Sequence, residues 1–217
     1  MNWKRLIAMS LLITTFVSIS KTVNAGSITL RAFVCPNEGT ICFRWWPELP
    51  VQSGWEQDQD ASYELNVDAL APKGKTFNNS EVVMYGNALY KPRQTDKNLV
   101  SFIRGDEEKF SSTNPGFEIY LGKTILTQSY GELPSRVFVS EQAKRWERVV
   151  YADVPDYFLI FTLSADTLKT YSASMPTFEE MIYIYTSTPH VVPGQSASEK
   201  SHPLPSDQNN PSAIQKK

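Results

Sequence analysis

No phenylalanine, tryptophan or tyrosine occurs after Tyr185 in this chain of 217 residues, and that boundary limits what can fold. From Ser187 the composition changes abruptly. Pro189 to Lys217 is rich in Pro, Ser, Gln, Asn and Lys and holds four large aliphatics, Val191, Val192, Leu204 and Ile214. Such a segment buries too little apolar surface to offset its ordering entropy, so residues 188–217 are expected to form a disordered polar tail. The other end of the chain reads as a leader. Lys4 and Arg5 give a positive start, Leu6 to Ser20 is uncharged and mainly apolar, and Lys21-Thr22-Val23-Asn24-Ala25 ends with small residues at Val23 and Ala25. These are the parts of a secretory signal peptide in the right order, and residues 1–25 are expected to be cleaved on export. A membrane-spanning helix takes about 20 apolar residues, and this run is shorter and diluted by Ser10, Thr14, Thr15, Ser18 and Ser20. No cysteine follows it to carry a lipid anchor, and no later segment is apolar enough to span a bilayer. The expected location is therefore periplasmic or secreted, without stable membrane insertion of the mature chain. The remainder, 26–187, is about 160 residues, enough for a single domain that buries roughly 70% of its unfolded surface.

Export changes the charge and the redox setting. Losing Lys4, Arg5 and Lys21 with the leader takes the net charge from −2 to −5, which makes nucleic acid or an acidic membrane surface a poor partner. Outside the cytoplasm an even number of cysteines usually means a bond. Cys35 and Cys42 flank the turn-rich Pro36-Asn37-Glu38-Gly39-Thr40-Ile41, so a disulfide is expected to pin a hairpin between strands at Thr29–Val34 and Cys42–Trp46. Closing so short a loop contributes roughly 2.5 kcal/mol in the chain-entropy picture.

Periodicity predicts further strands at Tyr63–Leu70, Val82–Tyr90, Phe117–Tyr120, Arg136–Ser140, Trp146–Ala152 and Tyr157–Leu163, the last two joined by a turn at Asp153-Val154-Pro155-Asp156. One helix is expected after a cap at Asp96, with Leu99, Val100, Ile103, Glu107 and Phe110 near helical spacing. Another should begin at Ser164 or Asp166, kink or break at Pro176 and restart with Phe178, Met181, Ile182 and Tyr185 on one face. That order gives an α+β fold, a mostly antiparallel sheet sandwiched by helices.

Several chemistries are excluded. The two histidines, His190 and His202, both fall in the predicted tail, which leaves the domain without a Ser-His-Asp or Cys-His arrangement and without a histidine metal ligand. Gly74-Lys75-Thr76 and Gly122-Lys123-Thr124 resemble the end of a phosphate loop. Each lacks the glycine five residues earlier, where Ala69 and Phe117 stand, so each is expected to supply turn residues. No catalytic set, cofactor or metal site is expected. The acidic stretch Glu56-Gln57-Asp58-Gln59-Asp60 fails the calcium-loop pattern at Ala61 and Val67 and reads as a solvated loop. Asp106-Glu107-Glu108-Lys109 reads as the exposed face of the first helix. Trp45, Trp46 and Trp55 surround Pro47-Glu48-Leu49-Pro50. Together with Tyr85 and Tyr90 they are the candidate ligand-binding residues, and core packing is the competing use of the tryptophans.

The opening Leu49-Pro50 to Gly54-Trp55 resembles that of the Mog1/PsbP-like domains found in exported bacterial proteins, with three residues between Pro50 and Gly54. The ending is similar too: Glu147-Arg148-Val149-Val150-Tyr151, then Phe158 to Ala165, then a helix carrying Phe178 and Tyr185. The likeness runs from about Pro47 to Tyr185. It implies an antiparallel sheet between helical layers and a non-catalytic accessory or binding role, with no shared catalytic set to carry over. The cysteine hairpin and the polar tail are not part of the family's pattern. The leading expectation is a binding or accessory domain of the cell envelope that docks to an envelope protein or a small-molecule ligand. A hydrolase working through carboxylates such as Asp58 and Asp60 is one alternative, and a structural envelope protein tethered by its tail is another.

Overall fold

The computed structural model describes residues 27–34, 41–186 and 188–189. The predicted leader lies outside these residues, as do Cys35, the side chain of Cys42 and nearly all of the predicted tail. The first two residues of that tail, Thr188–Pro189, are in fact paired as a short strand.

Among the described residues there are ten strands and three α-helices. The main sheet has seven strands: β3 (Trp55–Gln57), β4 (Asp68–Pro72), β5 (Val82–Tyr90), β6 (Glu118–Thr127), β7 (Gly131–Ser140), β8 (Arg145–Asp153) and β9 (Tyr157–Ala165). Their spatial order is β3-β4-β5-β9-β8-β7-β6, and every neighbouring pair is antiparallel. A second, three-stranded sheet joins β1 (Ser27–Val34) and β2 (Ile41–Pro47) antiparallel, with β10 (Thr188–Pro189) alongside β1 in parallel. The helices are α1 (Gln59–Leu65), α2 (Leu99–Thr113) and α3 (Leu168–Ile184).

Strand alternation sorts the core into two layers. One face of the sheet presents Leu70, Met84, Val150, Leu159, Phe161 and Leu163, which pack with Phe178, Met181, Ile182 and Tyr185 of α3 and with Ile28 and Leu49. The other face presents Phe138, Val149, Tyr151, Phe158 and Ile160 to Phe102, Ile103 and Phe110 of α2. A smaller cluster, Ala61, Val67, Ala69, Phe77, Val83 and Tyr85, lies on that second face under α1. The fold is the expected α+β sandwich, with the small sheet sharing one layer with α3.

Four local expectations need correction. The predicted strand Tyr63–Leu70 is the end of α1, a turn, and β4. Asp58 caps the helix, its Oδ1 accepting from Ala61 N at 3.0 Å, and Asn66 ends it in the left-handed region at φ 57°. Tyr63, Leu65 and Val67 have strand-like spacing, but the caps decide. The cap of α2 is Asn98, whose Oδ1 accepts from Ser101 N at 2.9 Å, rather than Asp96. The last helix starts later than Ser164 or Asp166, capped by Thr167, because β9 runs on through Ala165. Of the kink or break expected at Pro176, the break does not occur, since the helix runs on through that residue. Finally, Gly122-Lys123-Thr124 is no turn. It sits inside β6, where the register shifts between Gly122 and Ile125.

Candidate functional site

β5, β9 and β8 lie side by side in the middle of the sheet, and on the α2 face their residues turn polar in one stripe. Tyr85 of β5 stands opposite Thr162 of β9, and Ser164 of β9 opposite Glu147 of β8. Asn87 is two residues beyond Tyr85 on the same face. All five are buried. Above them α2 contributes Asp106 and Phe110, and Phe138 of β7 closes one side. All of these except Ser164, with Val149 and Ile160, line a slot of about 350 Å³ measured out to its open mouth. The interior is narrow, with room for water-sized groups rather than for a drug-sized molecule.

The acids of the slot are held in place. Asp106 Oδ2 accepts from Tyr151 Oη at 2.7 Å, and Glu147 Oε1 accepts from Ser164 Oγ at 2.9 Å. Arg145 Nη1 stands 3.5 Å from Glu147 Oε1 and 3.4 Å from Ser164 Oγ. Burial above all, then the charge of Glu147, raises the Tyr85 hydroxyl well above its ordinary range, while a hydrogen bond with Thr162 pulls the other way. Tyr151 is raised by burial first and by Asp106 second. Both phenols are therefore neutral hydroxyls at physiological pH. Asn87, 5% exposed as a residue, also lines the slot.

Asp106 corrects an expectation. In the predicted exposed run 106–109 it is buried, and Glu107 is half-buried in an ion pair with Arg136. Only Glu108 and Lys109 are exposed. The signal was available: Phe102, Asp106 and Phe110 recur at four-residue spacing, which puts all three on one helix face.

The predicted aromatic site is divided by the fold. Trp46 is a core residue, 2% exposed, packed on Tyr63 with ring centroids 5.3 Å apart and donating from Nε1 to Asn66 Oδ1 at 3.3 Å. Trp55 packs half-buried against the α3-side core. Trp45 and Tyr90 are brought together through Tyr157, whose ring lies 5.7 Å from the first and 5.5 Å from the second. Tyr85 is on the opposite face of the sheet and belongs to the polar slot. Of the acidic stretch, Asp58 is committed to structure: beyond its cap, Oδ2 accepts from Phe77 N at 2.7 Å. Asp60 is exposed in the first turn of α1.

No protein-family model matches the chain, and no curated protein does. Solved structures do match. One is the crystal structure of a protein of unknown function, PA94 from Pseudomonas aeruginosa. It is 14% identical with a TM-score of 0.41, and the match covers 79% of this chain and 100% of that one. A likeness at that score carries nothing about function, so the site stands on its own residues. Among the described residues no group of three or more His, Cys, Asp or Glu could hold a metal ion, and no described helix is long and apolar enough to cross a membrane.

A third buried acid, Asp68, lies on the α3 face. Asp68 begins β4 and accepts from Leu49 N at 2.5 Å and from the Gln57 amide. Burial pushes its carboxyl from 3.8 up to about 6, against the pull of those two hydrogen bonds and of Arg31. Here the acid anchors the chain leaving β2, and Gly86 opposite it on β5 leaves room for Leu49 and Pro47.

Proposed function

We propose that the chain is an exported, non-catalytic binding or accessory domain of the bacterial cell envelope, of the Mog1/PsbP-like kind, which takes a small ligand into the slot between α2 and the sheet. The single observation that carries this reading is the set of polar side chains, Tyr85, Asn87, Thr162, Asp106 and Glu147, gathered at one opening in the α2 face of the central strands. Five polar side chains gathered at one opening fit recognition better than packing. The family reading draws support from the hairpin β8–β9 running into α3, and from Gly54, at φ 83°, turning the chain into Trp55 at the sheet's edge. Docking to an envelope protein remains compatible with the same slot if the partner inserts a side chain there. The hydrolase alternative loses a residue, since both carboxylate oxygens of Asp58 serve the backbone.

The test is a thermal-shift screen of a small-molecule library on the wild type and on Asn87→Leu. Compounds that raise the Tm of the wild type and leave the variant unmoved support the reading. Hits indifferent to the substitution would overturn it. So would steady turnover of a compound that ceases in Glu147→Gln.

A further inference from the structure

Among the described residues β6 is the outermost strand of the large sheet, and its outer edge is long and partly apolar. The strand at the other edge, β3, has three residues, whereas β6 has ten. Tyr120 and Leu121 are 51% and 82% exposed, on opposite faces of the strand. Edge strands are usually blunted by a charge, a proline or a bulge. Here nothing of that kind interrupts Ile119-Tyr120-Leu121, and the bulge comes only after Gly122. Glu118–Gly122 is therefore a regular run with no described strand on its outer side.

A second observation lies beside that run. Arg148 of β8 reaches across β7 to Gly122, where a Cβ would lie 2.9 Å from its Cζ. The arginine is buried, and it donates to the Lys123 carbonyl and the Tyr171 hydroxyl. Its Nε has no hydrogen-bond partner among the described residues, and no carboxylate among them forms an ion pair with it. Glu179 of α3 bears on Tyr171 but makes no such pair. Buried charges are ordinarily paired, so this guanidinium lacks an acid.

Symmetry supplies one. A second copy can extend the sheet antiparallel only through a two-fold axis perpendicular to it, which keeps each residue on its own face. Opposed residues must then be both even or both odd in number. Tyr120 is the centre that keeps the whole regular run paired. Ile119 then meets Leu121 of the second copy on the α2 face, and the two Tyr120 rings meet on the α3 face. Glu118 falls opposite Gly122 of the second copy, on the face where Arg148 lies. Directly opposed Cβ positions are about 5 Å apart, which brings the glutamate carboxylate within reach of the guanidinium. Glycine leaves that path open. We infer that two copies of this chain join edge to edge through antiparallel pairing of Glu118–Gly122 about a two-fold at Tyr120, with Glu118 of each copy paired to Arg148 of the other. A five-residue contact is small, so the dimer is of the weak, concentration-dependent class.

The experiment uses the full chain, expressed with its own N-terminus and purified as it emerges. Sedimentation velocity over about 5–500 µM, a span suited to small interfaces, should show a monomer–dimer equilibrium. Glu118→Lys sets two like charges against Arg148 and should weaken the dimer about tenfold or more. Glu118 is exposed, so the variant should fold as the wild type does, and circular dichroism melts check this. The register has its own test. Tyr120→Cys should give a covalent dimer under mild oxidation, well above the wild-type background. Leu126→Cys, also exposed but beyond the bulge, should not. A chain that stays monomeric throughout, a dimer indifferent to Glu118→Lys, or a dimer that fails to cross-link at residue 120 would each overturn the inference. None of these outcomes bears on whether the slot binds a ligand.

Discussion

The hydroxyl of Tyr151 donates to the Asp106 carboxylate at 2.7 Å, joining the middle of α2 to a central strand of the sheet across an otherwise aromatic layer. Phe102 stacks on Phe158 at 4.5 Å, and Phe110 packs on Phe138 at 4.5 Å, so the polar link sits between two apolar ones on the same helix face. Tyr151→Phe removes a donor from a buried carboxylate without changing the ring. It should cost about 1–3 kcal/mol of stability, the usual range for withdrawing one partner of a buried hydrogen bond. Equilibrium urea unfolding measures this directly, and a variant as stable as the wild type would show that the link contributes nothing.

Asp68 should make stability depend on pH in an unusual direction. Its folded value of about 6 lies above the 3.8 of an unperturbed carboxyl, so the folded state holds the proton more tightly than the unfolded one. The contribution is fully present below about pH 4 and lost as pH rises through about 6, which is opposite to an acid stabilised by ion pairs. The full span is on the order of 3 kcal/mol. Asp68→Asn cannot titrate, so its urea midpoint should be flatter than that of the wild type between pH 4 and 6.5. Parallel curves for the two proteins would rule Asp68 out as the source.

How much of this was legible in the sequence depended on whether the deciding forces were local. The strand Val82–Tyr90 and the β8–β9 hairpin followed from β-rich runs bounded by turn residues, because strands buried on both faces are locally distinctive. α1 was missed because the helix is only seven residues long, and its two caps, Asp58 and Asn66, outweigh the strand-like alternation of Tyr63, Leu65 and Val67. The slot was hidden for another reason. Asn87, Glu147 and Thr162 lie far apart in the chain, and only the pairing of β5 and β8 with β9 sets them on one face. One trace was available. In Phe158–Ala165 every residue is apolar except Thr162 and Ser164, two apart and therefore on the same side. Trp45, Trp46 and Trp55 were neighbours in sequence for a different cause, since successive strand residues point to opposite faces.

Pro176 should be a stability defect that a single substitution relieves. It is exposed in the middle of α3, where it cannot donate to the carbonyl one turn back, at Ser172. An interior proline costs a helix about 3 kcal/mol, and its restriction of the unfolded chain returns up to about 1 kcal/mol. Pro176→Ala should therefore raise stability by about 1–3 kcal/mol, seen as a higher urea midpoint with an unchanged slope. A lower midpoint would mean that α3 needs the bend proline imposes to seat Phe178, Met181 and Ile182.

Gly122 tests how tightly the outer strands are fitted. A Cβ at this position of β6 would lie 2.2 Å from Ser135 Oγ and 2.9 Å from Arg148 Cζ. Arg148 is itself buried, donating to the Lys123 carbonyl while its Nε has no hydrogen-bond partner among the described residues, so it has little freedom to retreat. Ser135 is fixed as well, donating to the same carbonyl at 2.8 Å. Gly122→Ala should cost about 1–3 kcal/mol by overpacking. Because the worst clash is with one hydroxyl, Ser135→Ala should recover part of that loss in the double variant, giving a favourable coupling in a double-mutant cycle. Strictly additive losses would place the conflict at Arg148 instead, since its guanidinium would be the only obstacle left after the serine oxygen is gone.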